Sequence, residues 1–122
     1  MAKLISKEIL NQKKEIPQPK YKDLCPIAIV QSLIAGKWKI IILYHLSQQT
    51  RRFNELQKLL PNISQGILTS QLRELENDGL VHREIYKEVP PRVEYSLTDI
   101  GRTFTSVLNA MTEWGYNYMA SK

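Results

Sequence analysis

The stretch from Asn62 to Arg102 constrains this chain most, because it passes from helical spacing to strand alternation and back to a helix. Residues 64–78 read as the first helix. At about 100° per residue, Leu68, Leu72 and Leu75 fall on one side, at i, i+4 and i+7. The opposite side carries Gly66, Ser70, Arg73 and Asn77, with Thr69 at its edge. That face holds no large apolar group, and its side chains can hydrogen-bond to base edges or phosphates. Ser64 suits the N-cap, and Asp78-Gly79 the stop, where glycine takes a left-handed conformation without a Cβ penalty. Alone, such a helix reads equally as an ordinary amphipathic helix with a solvated face.

The hairpin that follows changes the weight. Val81, Ile85 and Val89 share one parity, which Arg83 and Lys87 share too. In 92–97 the alternation is cleaner, with Val93, Tyr95 and Leu97 inward and Arg92, Glu94 and Ser96 outward. Pro90-Pro91 cannot sit inside a ladder and mark the turn, with Arg92 just beyond it. A cation at such a tip can reach along a DNA backbone or into the minor groove, or can belong to a plain surface turn. A short helix ending at Pro61, then helix, hairpin and helix, is the order of a winged helix-turn-helix. The fold class expected is mainly α with a small β-hairpin, with further helices at both ends.

The sequence resembles the HxlR-type winged-helix transcriptional regulators of bacteria and archaea, relatives of the MarR regulators. The matching pieces are Cys25-Pro26, Gly36-Lys37-Trp38-Lys39, Arg52-Phe53-x-Glu55-Leu56 and Pro61-Asn62-Ile63-Ser64. They continue through Leu68-Thr69, Leu72-Arg73-Glu74-Leu75-Glu76, Asp78-Gly79-Leu80-Val81 and Val89-Pro90-Pro91-Arg92-Val93-Glu94-Tyr95-Ser96-Leu97-Thr98, and end in Trp114-Gly115. Together they cover residues 24–116. The resemblance implies a dimer built from terminal helices. It also implies that a cysteine in the Cys-Pro position, here Cys25, serves as a sensor of oxidants or electrophiles, as it does in several members. In one respect the chain departs: where members often carry a lysine early in the recognition helix, it has Gly66. That removes a phosphate or base contact and weakens the helix by ~1 kcal/mol against alanine.

At 122 residues the length suits one domain, 1–122. Within it, 1–22 reads as an N-terminal helix and linker, 24–102 as the winged-helix core and 98–120 as a C-terminal helix for dimerisation. No stretch approaches the ~20 apolar residues of a membrane span, and MAKLISKEIL lacks the apolar run of a signal peptide. One cysteine cannot make an internal disulfide, which fits a reducing cytoplasm. The net charge of +5 is uneven. Residues 1–23 hold six cations and three anions, and 37–52 hold Lys37, Lys39, Arg51 and Arg52 with no acid. Residues 53–80 hold two cations against four acids, so phosphate contacts have to come from Arg51, Arg52, Arg73, Arg92 and their neighbours.

Along the chain, 3–14 reads as a short helix with Leu4, Ile5 and Ile9 apolar, and 16–22 as an extended linker around Pro17 and Pro19. So small a helix must dock, on its own domain or on a second subunit. Cys25 takes the N-cap of the next helix, with Pro26 at its first position and Ile27, Val30, Leu33 and Ile34 as the buried face. There the first N–H groups and the helix dipole favour a thiolate; a small buried hydrophobe is the other reading of Cys25. A helix over 38–46 would carry Trp38, Ile41, Ile42 and His45 on one side, a short strand at Arg51–Phe53 would close the sheet, and a helix over 54–60 would bury Leu56, Leu59 and Leu60. Neither His45 nor His82 has partners at metal-ligand spacing. From Thr98 a last helix carries Ile100, Phe104, Val107, Leu108, Met111, Trp114 and Tyr118 along one stripe, whose far end outruns what a domain this size can cover.

The function expected is a homodimeric, sequence-specific regulator on double-stranded DNA with a near-palindromic operator. Its DNA-binding residues would be Arg51, Arg52, Ser64, Gln65, Thr69, Ser70, Arg73 and Arg92. Its dimer residues would be Leu4, Ile5, Ile9, Leu108, Met111, Trp114 and Tyr118. The alternative is a winged-helix protein-interaction module without sequence-specific DNA binding. No serine/histidine/acid set, metal cluster or glycine-rich phosphate loop is visible, so no enzyme and no cofactor are expected, and no effector can be named.

Overall fold

The computed structural model describes residues 24–122. The helix expected over 3–14, with Leu4, Ile5 and Ile9, and the linker to residue 22 lie outside the described residues. The chain divides into two compact units, one ending at Ala35 and one starting at Gly36.

In the first unit, Cys25 has extended backbone and Pro26 follows it at the first helical position, so α1 (Pro26–Leu33) starts at the expected place. The Cys25 carbonyl accepts from the Ile29 N–H at 3.2 Å. The expected buried face of α1 is not buried: Ile27 and Val30 are exposed. Cys25 is exposed as well, which sets aside its reading as a buried hydrophobe.

In the second unit, α2 (Lys39–Gln48) buries Lys39, Ile42, Leu43 and Leu46. The face expected from Trp38, Ile41, Ile42 and His45 is therefore turned: Ile41 is exposed, and Lys39 takes a core-facing position instead. A lysine there does not score as apolar, and only a counter-charge from another element makes it possible. Next come β1 (Arg51–Arg52) and α3 (Phe53–Leu59). Leu56 and Leu60 are buried, but Leu59 lies on the flank of α3 and stays exposed. Asn62 turns the chain with φ 69°, a left-handed conformation asparagine tolerates better than most residues.

The helix α4 (Gln65–Asn77) fulfils its reading closely. Ser64 is the N-cap, its hydroxyl accepting from the Ile67 N–H at 3.1 Å, and Leu68, Leu72 and Leu75 are the buried residues. Gly79 ends the turn beyond it with φ 79°. Two strands follow, β2 (Val81–Tyr86) and β3 (Arg92–Leu97), paired antiparallel from Val81–Leu97 to Tyr86–Arg92. β1 adds to the far side of β3 through Arg51–Tyr95 and Arg52–Glu94, giving the order β1-β3-β2 among the described residues. Tyr95 and Leu97 turn inward as expected. On β2 only Val81 is buried, while Ile85 and Val89 point outward because the ribbon leaves the core as it runs to its tip.

The terminal segment is two helices, α5 (Asp99–Thr103) and α6 (Thr105–Ala120), meeting at Phe104. Thr98 caps α5 by accepting from the Gly101 N–H at 3.0 Å, and donates its hydroxyl to the Gly79 carbonyl at 2.6 Å. The Leu80 carbonyl accepts from the Thr98 N–H at 3.1 Å. This brings the start of α5 so close to the chain leaving α4 that a Cβ on Gly101 would run into the Leu80 carbonyl oxygen. Gly101→Ala should therefore destabilise the protein by about 1–3 kcal/mol in urea unfolding. Gly66→Ala, on an open helix face with nothing within 4 Å, should instead stabilise it by about 1 kcal/mol.

Candidate nucleic-acid interface

The outward side of α4 is the natural place for a site, since the other side is spent on Leu68, Leu72 and Leu75. Gln65, Gly66, Ile67, Ser70, Arg73, Glu74 and Asn77 are all exposed. Not all of the polar groups are equally free. The Thr69 hydroxyl donates back to the Gln65 carbonyl at 2.8 Å, and Ser70 reaches toward Glu74 at 3.5 Å. Ser64 keeps its hydroxyl proton available, because as a cap it only accepts. Arg73 borders a small cleft with Thr69, Glu76, Arg83 and Tyr95 between α4 and the sheet.

Two cross-links fix how α4 sits. Lys39 of α2, only 5% exposed, places its ammonium 2.6 Å from Glu74 Oε1. Arg83 of β2 lies 3.5 Å from Glu76. The Lys39 hydrogen bond, then its charge, hold the half-exposed Glu74 carboxyl below the usual range against an opposing desolvation, with the Ser70 hydrogen bond adding the least. A third acid, Glu55, accepts from the Arg52 backbone N–H at 2.7 Å and so caps α3. Sequence reasoning missed these pairs, and with them the neutralisation of two of the four acids in the 53–80 segment, Glu74 and Glu76. The spacing of Lys39 with Ile42, Leu43 and Leu46 held the signal, and a complementary acid on a neighbouring helix completes it.

Arg51 and Arg52 pair with β3 beside the wing, but their side chains differ in freedom. Arg51 Nε donates to the His45 carbonyl at 3.3 Å, and its Nη2 donates to Gln48 at 3.2 Å, which ties it to the end of α2. Burial, then the Arg51 charge, pushes the His45 imidazole below its ordinary pKa. Arg52 is exposed. Lys37, which precedes α2, is exposed too and rests its ammonium 4.9 Å from the Trp38 ring centroid. At the wing, Arg92 does not project from the tip: it lies over the Tyr86 ring and beside Glu88 and Glu94.

Of the residues expected at a dimer contact, Leu108 is 3% exposed and belongs to the core of its own chain, where the α6 stripe meets α2. Met111, Trp114 and Tyr118 lie further along α6, outside that core, and are exposed. Trp114 and Tyr118 stack with centroids 5.2 Å apart and planes 14° from parallel. Among the described residues no helix is long and apolar enough to cross a membrane.

Residues 33–122 match the family described as HxlR-like helix-turn-helix. The HTH-type transcriptional regulator YdeP of Bacillus subtilis is 56% identical over 94 residues, 77% of this chain and 73% of the relative. An HTH-type transcriptional regulator of Methanothermobacter thermautotrophicus is 46% identical over 95 residues, 78% of this chain and 72% of the relative. Among solved structures, the redox regulator HypR in its reduced form superposes with a TM-score of 0.75 at 48% identity, covering 80% of this chain and all of that one. The reduced transcriptional regulator YodB from Bacillus subtilis superposes with a TM-score of 0.67 at 34% identity, covering 75% and 90%.

The Glu74 pairing has a signature in acid. A carboxyl whose pKa is lower folded than unfolded contributes its full stability above the unfolded value and loses it as the pH falls through the folded one. Unfolding free energy should therefore decline below about pH 4.3, and Glu74→Gln should be less stable at pH 7 and show a shallower decline. Chemical denaturation from pH 7 to pH 3 measures both.

Proposed function

Because the chain belongs to the HxlR-like helix-turn-helix family, we propose that it is a transcriptional regulator that binds double-stranded DNA as a homodimer. The reading rests on one observation above the rest: α4, second in the helix-turn-helix, keeps a leucine stripe inside and a polar, hydrogen-bonding face outside. On this reading α4 enters the major groove. Gln65, Thr69, Ser70 and Arg73 face base edges, with Ser64 at a phosphate. Arg51 and Arg52 support the backbone, and the wing 81–97 with Arg92 follows the backbone or the minor groove. Two such helices about a two-fold axis would meet successive major-groove faces about 10 base pairs apart or a multiple of that, so the operator should be near-palindromic. Selection of bound duplexes from a random pool tests this. Arg73→Ala should weaken binding of the selected duplex by about ten-fold or more at a base contact, measured by fluorescence anisotropy. Tight binding of a single half-site by a monomer would contradict the reading.

The second chain would cover Met111, Trp114 and Tyr118, an apolar row too exposed for an isolated helix in water. Trp114→Ala should then shift the protein to monomer in sedimentation at micromolar concentration, since buried aromatic anchors contribute about 2 kcal/mol or more each. A dimer that persists unchanged would place Trp114 outside the contact between chains.

Cys25, the only thiol and exposed at the start of α1, carries on this reading a response to oxidants or electrophiles. The similarity to HypR and YodB, both solved as redox-treated or redox-named regulators, favours it. The products open to it are a mixed disulfide with a small thiol, an adduct, or a bridge between two chains. Diamide should change operator affinity of the wild type and leave Cys25→Ser unaffected.

A further inference from the structure

The wing arginine is held in an unusual way. Arg92 Nη1 lies 3.6 Å from Glu88 Oε1, Nε lies 3.3 Å from Glu94 Oε2, and the guanidinium sits 4.1 Å above the Tyr86 ring. Yet Nε, although covered, meets no acceptor in hydrogen-bonding geometry. The group is restrained by charge and stacking while its donors stay unspent. The two carboxylates are not equivalent. The Glu94 side chain is 25% exposed and sits in the sheet, opposite Arg52 on one side and Glu84 on the other. The Glu88 side chain is 50% exposed and belongs to the turn beyond β2.

We propose that Arg92 is a phosphate ligand held in reserve by Glu88, so that the wing grips DNA only where a backbone phosphate displaces that carboxylate. The proposal rests on the DNA-binding reading above. Tyr86 and Glu94 keep the guanidinium at the ribbon, and the more exposed Glu88 stands at its Nη1. A phosphate presents oxygens that two parallel guanidinium N–H groups can meet together, which the 3.6 Å approach of Glu88 does not achieve. Exchange of one anion for the other therefore converts an unaligned ion pair into paired charge-assisted hydrogen bonds. Because Glu88 leaves as the phosphate arrives, the contact carries no sequence information and taxes every duplex alike.

The test is a mutant cycle on the full chain, with affinity for the selected operator and for an unrelated duplex measured against salt. Glu88→Gln should tighten both duplexes by about two- to five-fold. Arg92→Ala should weaken both and reduce the slope of log affinity against log salt by about 0.9. In the Arg92→Ala background, Glu88→Gln should bring no more gain than Glu84→Gln brings to the wild type, since Glu84 removes the same charge from the same ribbon without touching Arg92. The proposal is overturned if Glu88→Gln and Glu84→Gln act alike in the wild type, or if the gain survives loss of Arg92. It is overturned alone, with α4 still the reader, if the wild type selects an operator but Arg92→Ala changes neither affinity nor slope. A wild type that selects no duplex overturns the DNA-binding reading with it.

Discussion

A lysine ammonium at the foot of α2 has almost no contact with water, and the arrangement of the second unit depends on how that charge is answered. Burying an unpaired ammonium costs several kcal/mol, so Lys39 can take a core position beside Ile42 and Leu43 only with a carboxylate at hydrogen-bonding distance. Glu74 supplies it from α4. A stripe of leucines alone specifies which side of a helix is buried but tolerates small rotations about the axis. A 2.6 Å ion pair one residue away from Leu75 does not. The pair thus sets the azimuth of α4, and with it which side chains the helix offers outward.

Charge on this surface is consequently better described by partners than by counts. Glu55 is spent on a helix cap, Glu74 on Lys39 and Glu76 on Arg83. Two of those pairings tie α4 to its neighbours, one to α2 and one to the sheet. Two of the four acids that looked unfavourable for a polyanion partner therefore hold α4 in place, and Arg73 and Arg52 remain exposed around them.

Much of this was legible beforehand wherever a local rule decides the outcome. The cap at Ser64, the stop at Gly79, the leucine stripe of α4 and the cap at Thr98 follow from residue type and spacing and stand in the structure. So does the short strand at Arg51, except that Phe53, expected in it, opens α3. What failed depended on a second element. The face of α2 was misplaced because Lys39 counts as polar until Glu74 is known to pair with it from α4. The parity that Ile85 and Val89 share with Val81 does not bury them, because alternation gives a strand its two sides but not how far the core extends along it. Arg92 was legible as a wing cation, whereas its engagement with Glu88, Glu94 and Tyr86 requires the register of β2 on β3. Leu108 was placed with the dimer residues, but it is buried where the early turns of α6 lie against α2, as the covered start of the stripe requires.

The junction of Gly79, Leu80, Thr98 and Gly101 gives the terminal helix a mechanical meaning. Two hydrogen bonds and a glycine contact clamp the beginning of α5 to the chain emerging from α4. Beyond Phe104, α6 extends for 16 residues, an arm of about 24 Å. Leu108 holds the early turns of α6 against α2, so a tilt of roughly 5° about the clamp, about 2 Å at the far end, has to carry that contact with it. Conversely, a displacement of that size imposed on Trp114 and Tyr118 reaches the clamp as a small, geared-down rotation. The last two helices and the chain leaving α4 are thereby joined at one junction, and glycine at position 101 is what lets its two halves close.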